Sequence, residues 1–312
     1  FDPEQFTKLA RHPRVKMIEI KLSQGAKPGH GGVLPAAKVS KEIAEIRGIP
    51  EAQDCVSPAA HSAFGTPVEL LQFIERLRQL SDGKPVGFKF CVGHPQEVLA
   101  ICKAMVETKI LPDFIVVDGK EGGTGAAPVE FSNHVGTPLR EGLLLVNNAL
   151  TAVGVRDQIR LGASGKIISA FDMAITMAIG ADWCNAARGF MFSLGCLQSQ
   201  HCHLGNCPVG IATQDAARQR GLVVDNKAKR VHSFHAATVS ALSELVAAVG
   251  LDHSSELRPD HFYQRQSPRV ALPLDEVYEF SQPGELLGPN PQGQFAAAWG
   301  RVRTDRFTTA PN

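Results

Sequence analysis

The strongest constraint in this sequence is a repeated alternation of short apolar runs with longer helical patterns. The runs are rich in β-branched residues and do not alternate polar with apolar positions, as expected for strands buried on both faces of a parallel sheet. They cover residues 15–20, 86–90, 114–117, 159–162 and 182–185. A strand followed by a helix, repeated along the chain, predicts parallel βα units.

The segments between these runs carry the start signals and the periodicity of helices. Thr66-Pro67-Val68-Glu69 combines an N-cap, a proline at the first helical position and a glutamate three residues after the cap. Pro95 opens a second helix, and two more are predicted over about 168–178 and 228–249. The last has an apolar stripe at Val231, Phe234, Val239, Leu242 and Leu245.

Five predicted strands are too few to close a (β/α)8 barrel. The sequence therefore predicts either an open parallel sheet or a barrel whose first strands are absent. From residue 267 onward Pro, Gly and Gln are frequent, which predicts a segment that wraps the core or is partly disordered. The predicted division is a partial barrel over 1–250 and an irregular Pro- and Gly-rich tail over 251–312.

Composition and charge argue against several classes of protein. With 44% hydrophobic and 20% charged residues, the chain is typical of a soluble globular protein. A formal charge of +1, without basic clusters, argues against nucleic acid or an anionic membrane as partner. The first residues lack the apolar core of a secretory signal, and the best membrane-span candidate, 167–181, is short and contains Asp172. The sequence predicts a cytoplasmic protein and leaves open whether a membrane anchor lies upstream of Phe1.

Three of the seven cysteines lie close together in a short polar segment. Cys196, Cys202 and Cys207 follow the spacing C-x5-C-x4-C, with a proline directly after the third. Such crowding in a large chain without a secretory signal favours a metal site over disulfides. Soft sulfur ligands suit an iron–sulfur cluster, whereas zinc, completed by His201 and His203, is the competing interpretation. Packing cysteines without a metal are disfavoured by the polar, loop-like surroundings.

Glycine-dense loops follow three of the predicted strands, where a βα barrel places its active site. Their sequences are QGAKPGHGG at 24–32, DGKEGGTGA at 118–126 and GASGK at 162–166. Glycine lets the backbone approach a ligand closely, and Lys27 offers a positive charge to an anion. A phosphate beside the third loop would be held by N–H groups and by the dipole of the helix that follows. A flexible surface loop is the alternative for any one of them, but three together predict a phosphorylated cofactor.

Single residues outside these loops have simpler interpretations. Lys89 lies within the apolar run 86–90, and a buried lysine needs an anionic or electron-rich partner. A salt bridge to a neighbouring carboxylate is the structural alternative to a ligand. His61 is interpreted as a polar packing residue, and Cys184 as a buried thiol.

Together these motifs resemble the FMN-binding synthase domain of the glutamate synthase family. The likeness rests on the loop at 24–32, on EGGTGA at 121–126, and on the cysteine run followed by PVGIATQ, which ends at Gln214. It extends from about Val15 to Gln214, more weakly to Val249, and is greatest to the shorter, stand-alone members. The resemblance implies the C-terminal portion of a (β/α)8 TIM barrel, about its last five βα units, carrying FMN and a [3Fe–4S] cluster.

The resemblance also implies a reaction and the residues that perform it. In this family 2-oxoglutarate and ammonia form 2-iminoglutarate, which is reduced to L-glutamate with FMN. Gln24 and Lys27 would contact the 2-oxoacid, and Arg47 would pair with its carboxylate. The implied FMN contacts are Lys89, Gly123, Thr124 and Gly125 at the flavin, and Ser164, Gly165, Ala187 and Arg188 at its phosphate. The implied cluster ligands are Cys196, Cys202 and Cys207. Ferredoxin or a NAD(P)H-oxidising subunit would donate the electrons.

The sequence departs from the large members of the family in several places. His30 and Val33 stand where those enzymes usually have Glu and Gln. Asp118-Gly-Lys-Glu121 stands in place of a Ser-Gly-His-Asp pattern. A glutaminase domain would need an N-terminal cysteine and the chain begins with Phe1, so ammonia is expected to arrive free or from a glutaminase partner. These departures bear on the substrate more than on the cofactors.

Three alternatives accompany the glutamate synthase hypothesis. An amine variant, such as an N-methylglutamate synthase, would agree with the substitutions at 30–33. A non-catalytic electron-transfer or structural subunit is a second alternative, against which the retention of Lys27, Lys89 and the clustered cysteines argues. A zinc-stabilised binding module is the third, and it predicts a colourless protein.

Overall fold

The computed structural model describes residues 1–27, 32–123 and 127–308 of the chain. Its strands are β1 (Ile18–Lys21), β2 (Val33–Leu34), β3 (Cys55–Val56), β4 (Val86–Phe90), β5 (Phe114–Asp118), β6 (Arg160–Ser164), β7 (Trp183–Asn185), β8 (Tyr263–Ser267) and β9 (Val270–Pro273). Its helices are α1 (Pro3–Ala10), α2 (Lys41–Arg47), α3 (Pro67–Leu80), α4 (Pro95–Thr108), α5 (Leu139–Ala152), α6 (Ala170–Ala178), α7 (Arg188–Leu194), α8 (Ala216–Gln219), α9 (Val224–Ala248), α10 (Leu274–Val277) and α11 (Ala296–Trp299).

Five strands form one parallel sheet in the order β1-β4-β5-β6-β7. Because this order follows the chain, the sheet does not reverse direction as a doubly wound sheet does, and right-handed connections leave their helices on one side. Consecutive βα units in a (β/α)8 barrel are arranged in this way. The predicted α/β fold with about five parallel βα units is confirmed, and each predicted run overlaps one of these strands.

The helices on the outside of the sheet begin where local signals favour them. The Thr66 side chain accepts the N–H of Glu69, and the Glu69 carboxylate accepts the N–H of Thr66, which completes the predicted capping box of α3. Pro95 opens α4 as predicted. The side chains that these helices bury against the sheet include Leu70, Leu71 and Ile74 of α3, Leu99 and Met105 of α4, and Leu143 and Leu150 of α5. Their burial is the main source of stability in this layer.

Aromatic rings lie over glycines on the opposite face of the sheet. A Cβ added to Gly87 would lie 2.6 Å from the Phe114 ring, and one added to Gly162 would lie 2.5 Å from the Trp183 ring. The two rings meet edge to face at 6.0 Å between centroids. Alternate residues of a strand share a face, so the side chains two positions beyond Gly87, Gly162 and Trp183 point the same way. These are Lys89, Ser164 and Asn185.

Helix α9 packs along α6 and α7 with one side. Phe234 meets the Phe190 ring at 5.3 Å, and Val246 is buried. Val239, predicted on the apolar stripe, is 42% exposed, so the buried side of α9 is narrower than the sequence pattern indicates. Within the described residues, no helix combines the length and apolar composition needed to cross a bilayer.

The segment after α9 runs over the outer helices. Its β8–β9 hairpin was not predicted, because the run YQRQS has no apolar periodicity. The Asn148 side chain donates to the Glu279 carbonyl (2.7 Å) and accepts the N–H of Ser281 (3.2 Å). Lys103 Nζ donates to the Trp299 carbonyl at 3.2 Å, and the Trp299 side chain joins the core. These contacts attach the segment to α5 and α4.

Replacing Gly162 with alanine should lower the free energy of unfolding by about 1–3 kcal/mol, because the new methyl group would overlap the Trp183 ring. Urea denaturation followed by circular dichroism measures this change. Gly300→Ala is the matched control, since Gly300 has right-handed helical backbone angles and no atom of the described residues lies within 4 Å of an added Cβ. An equal loss in both variants would contradict the role given to the ring contact.

Candidate functional site

An open cleft of about 400 Å³ lies at the carboxyl ends of the parallel strands, which is the edge where βα folds bind ligands. We call it the strand-end cleft. Seven of the predicted site residues line it: Gln24, Lys89, Gly123, Ser164, Gly165, Ala187 and Arg188. Thr124 and Gly125, and also His30, lie outside the described residues. Side chains that the sequence analysis did not assign to the site also line it, and they are Asp118, Glu121, Lys166, Asn185 and Met191.

The first two glycine loops interlock at one side of this cleft. A Cβ on Gly25 would lie 2.1 Å from the Gly119 carbonyl oxygen, and one on Gly123, whose φ is +67°, would lie 2.3 Å from the Gly25 carbonyl oxygen. Gln24 Nε2 donates to the Gly123 carbonyl at 3.4 Å. The absence of a side chain at Gly25 and Gly123 therefore allows the two loops to pack against each other. This role comes in addition to the close approach of a ligand that glycine also allows.

Asp118 connects three of the strand ends. It is 5% exposed, and its Oδ2 accepts the N–H of Gly25 at 2.8 Å. Its Oδ1 accepts the Ser164 hydroxyl at 2.6 Å. Lys89 Nζ lies 3.9 Å from Oδ2, so the salt bridge that the sequence analysis held as the alternative for Lys89 is present at long range. Lys89 nevertheless lines the cleft. The sequence did contain a signal for Asp118, because it is a charged residue at the end of the strand that neighbours the strand of Lys89.

Cations are concentrated near β1 and the first loop. Lys27 is 2% exposed, and burial, followed by the charge of Lys21, lowers its pKa. No carboxylate among the described residues compensates this charge. Lys21 is in register with Lys89 on the neighbouring strand, and burial, then Lys89, lowers the pKa of Lys21. Arg47 ends α2 on an exposed surface, so the structure does not bring its side chain into the cleft.

The third loop meets the start of α7 instead of the start of α6. Ser164 and Gly165 line the cleft together with Ala187 and Arg188. Helix α6 begins only at Ala170, and the N–H groups of Ile168 and Ser169 donate to the Asp172 carboxylate at 3.3 and 2.9 Å. The Asp172 carboxylate thus lies at the start of α6, and a phosphate held there by the helix dipole stays a prediction.

The clustered cysteines lie on a loop that follows α7. Cys202 and Cys207 are buried and Cys196 is half-buried. Burial acts to raise the pKa of the Cys207 thiol, but backbone N–H groups of Ala212, Val209, Ile211 and Gly210 outweigh it, so that this pKa is lowered. Arg188 Nη1 and the N–H of Gln198 lie 3.9 and 3.5 Å from Cys196 Sγ. Among the described residues, no three His, Cys, Asp or Glu side chains converge as a metal site.

A second pocket of about 400 Å³ joins the cysteine loop to the strand-end cleft. It lies between residues 127–134 and the cysteine loop, shares Lys166 and Arg188 with the cleft, and reaches Cys202. Cys184 does not line it: its side chain is half-buried in β7, and desolvation raises the pKa of its thiol to about 12. His61 stacks on Phe64 at 4.6 Å, away from both cavities.

Comparison with known proteins places these features in context. Residues 11–252 match the family model described as the conserved region in glutamate synthase. The chain is 38% identical over 277 residues to the glutamate synthase large subunit-like protein YerD of Bacillus subtilis, covering 89% of this chain and 52% of that protein. It is 37% identical over 242 residues to the archaeal glutamate synthase [NADPH] of Methanocaldococcus jannaschii, covering 77% and 47%. The chain thus spans about half the length of these curated relatives.

Solved structures give a more distant likeness. A flavocytochrome b2 variant with pyruvate bound aligns with a TM-score of 0.48 and 15% sequence identity, over 94% of this chain and 59% of that one.

Gly25→Ala should separate the two interlocked loops, because the added methyl group would overlap backbone atoms that cannot rotate away. Hydrogen–deuterium exchange of the segment 118–123 should become at least about tenfold faster, as expected where a local opening free energy falls by about 1.4 kcal/mol. Gly32→Ala is the matched control, since Ser57 Oγ, at 3.7 Å, is the nearest atom to an added Cβ among the residues that the structure describes. Unchanged exchange in the Gly25 variant would contradict the interlocking.

Lys27→Met should raise the free energy of unfolding at pH 7, because a buried ammonium is costly. Burial lowers the folded-state pKa of Lys27 below its ordinary value of 10.5. The wild-type penalty is therefore complete below the folded pKa and disappears as the pH rises towards the unfolded value. The advantage of methionine should shrink between pH 7 and pH 10, as measured by urea denaturation. Lys16→Met, at an exposed position, should show no such trend. An advantage that grows with pH would refute this assignment.

Proposed function

This chain belongs to the glutamate synthase family, and from that premise we propose that it forms the FMN- and iron–sulfur-binding synthase part of an oxidoreductase that makes L-glutamate. The substrate would be the 2-iminoacid formed from 2-oxoglutarate and ammonia. The observation that carries the proposal is the shared border between the strand-end cleft and the cysteine loop, where Arg188 lines the cleft and approaches Cys196 Sγ. Two redox groups bound on either side of Arg188 would be neighbours.

The residues of the strand-end cleft fit FMN. The lining of the cleft combines the cationic side chains of Lys89 and Arg188 with glycine backbone. Gly165, Ala187, Ser164 and Arg188 would hold the phosphate, and Gly123, Thr124 and Gly125 would lie along the flavin. FMN supplies hydride transfer when it is bound. The protein supplies orientation, and Lys89 supplies a positive charge for the electron-rich form of the cofactor.

The first loop would bind the 2-oxoacid. The buried Lys27 ammonium, which no described carboxylate compensates, would gain a partner in a substrate carboxylate. Gln24, which borders the cleft, would hydrogen-bond the same substrate. Arg47 would reach the second carboxylate only by a movement of α2 or of its own long side chain. Condensation of the oxoacid with ammonia releases water, and addition of a hydride to carbon and a proton to nitrogen gives L-glutamate.

The chemistry of the cysteine loop fits a [3Fe–4S] cluster, with Cys196, Cys202 and Cys207 as ligands. The N–H groups around Cys207 favour the thiolate that a cluster requires, and Cys196 Sγ has nearby N–H donors of the kind that tune cluster potentials. The loop would have to close so that the three sulfurs converge. Electrons would come from ferredoxin or a NAD(P)H-oxidising subunit, and the name of one relative includes NADPH. Ammonia would arrive free or from a glutaminase partner.

The first test is an anaerobic absorbance spectrum, with flavin and iron measured on the same sample. We expect flavin bands over a broad iron–sulfur shoulder, with about three irons per chain if three cysteines hold the cluster. Glutamate formation from 2-oxoglutarate and ammonia, driven by a chemical reductant, then tests the reaction. Methylamine in place of ammonia distinguishes the amine variant. A colourless protein that contains zinc would refute the proposal.

Two matched cysteine substitutions test whether the proposed ligands bind the iron–sulfur cluster. Cys207→Ser should reduce the iron content to below about a third of the wild-type value, because a hydroxyl is a poor ligand for iron in such clusters. Cys102→Ser should retain the iron, since Cys102 is buried in α4 and burial raises its pKa to about 12. Equal iron content in the two variants would contradict the assigned ligand.

A further inference from the structure

Asp118 is a buried carboxylate beside the one lysine of β4 that lines the strand-end cleft. Its side chain is 6% exposed, and its Oδ2 lies 3.9 Å from Lys89 Nζ. We propose that Asp118 is a positioning residue, which holds Lys89 and sets the reduction potential of the flavin by opposing the lysine's charge. This inference rests on the proposed function, because it requires a flavin in the cleft.

The Asp118 carboxylate is fixed in place by other segments of the chain. The N–H of Gly25 donates to Oδ2 at 2.8 Å, and the Ser164 hydroxyl donates to Oδ1 at 2.6 Å. A Cβ on Gly122 would lie 2.3 Å from Oδ1, so that backbone also packs against the carboxylate. Hydrogen bonds to an ionised acceptor are strong, and two of them from different loops prevent the carboxylate from rotating away. Lys89 therefore has a negative neighbour of fixed position.

The distance between the Asp118 carboxylate and the Lys89 ammonium is too long for the carboxylate to neutralise the lysine completely. At 3.9 Å the ammonium is at the limit of an ion pair, and Lys89 is 23% exposed towards the cleft. An ammonium has three donors, so at least one stays available on the cleft side. Lys21, in register with Lys89, and Glu19, two residues before Lys21, carry opposite charges on the same face of the sheet. Glu121, Lys166 and Arg188 also line the cleft, and loss of the Asp118 charge would make this whole set of charges more positive.

The sign of the effect on a flavin follows from electrostatics. Reduction adds electrons, so an ammonium near the flavin favours the reduced form and a carboxylate opposes it. Burial strengthens both interactions, since the effective dielectric near Asp118 is lower than in water. Asp118 should therefore keep the potential below the value that Lys89 alone would produce.

The test is the midpoint potential of the bound flavin, measured by equilibration with reference dyes. Asp118→Asn keeps the size of the side chain and removes its charge. The potential should rise by an amount equivalent to at least a tenfold change in the ratio of reduced to oxidised flavin, or about 30 mV for a two-electron couple. In a Lys89→Gln background the same substitution should change the potential by less, because part of the effect acts through the lysine. Equal shifts in the two backgrounds would contradict a role through Lys89.

Asp113→Asn is the matched control. Asp113 directly precedes β5, at the opposite end from Asp118, where it pairs with Arg78 at 2.9 Å and accepts the N–H of Val86 at 2.8 Å. The Asp113→Asn substitution removes a carboxylate next to the same strand as Asp118, but at the end far from the cleft. The flavin potential should therefore not change.

The outcomes separate this inference from the proposed function. Absence of flavin in the wild-type protein would refute the proposed function itself. Flavin in the wild type, with an unchanged potential in Asp118→Asn, would refute only the role of Asp118. If Asp118→Asn does not bind flavin, Asp118→Ser, which keeps an acceptor without a charge, provides the same measurement. Loss of flavin from both variants would also refute the inference, because Asp118 would then act on assembly of the site.

Discussion

A buried carboxylate must find partners for its oxygen atoms, and Asp118 finds them on three separate segments of the chain. The Gly25 N–H belongs to the loop after β1, the Ser164 hydroxyl ends β6, and Lys89 extends from β4. Since β5 lies in the middle of the sheet, this one side chain links the strand ends on both sides of it. The shape of the strand-end cleft depends on these contacts, because its wall is built from the same loops.

The polar side chains at the strand ends lie above a layer of aromatic rings on the same face of the sheet, and this packing sets their position. Phe114 lies against Gly87 and Trp183 lies against Gly162, so each ring occupies the space of a missing side chain on the next strand. Residues two positions further along share the same face, and there Lys89, Ser164 and Asn185 reach the cleft. The aromatic layer thus lies directly beneath the charged groups on the same face of the sheet.

Sequence patterns predicted the elements whose signals are local. Strand β5 is an almost continuous apolar run, and the start of α3 has a complete capping box. Seven of the predicted site residues line the strand-end cleft, and their roles there stay predictions. The contacts of Asp118 were not predictable, because they depend on strand register, and neither was the packing of Gly25 against Gly119. The Asp172 cap of α6 was visible as Ser169-x-x-Asp172 in the sequence, whereas the position of Ser164 and Gly165 beside the start of α7 required the structure.

The short helix α7 determines how close the cysteine loop lies to the cleft. Its seven residues rise by only about 10 Å. Arg188 opens this helix at the cleft and also reaches Cys196, which follows its end, so one guanidinium contacts both regions. On the other side, Lys38 Nζ donates to the Cys202 carbonyl at 2.7 Å, which joins the segment after the first glycine loop to the cysteine loop. Arg188 and Lys38 therefore connect the cysteine loop to the strand-end cleft and to the segment after the first glycine loop, so the position of the cysteine loop depends on both neighbours.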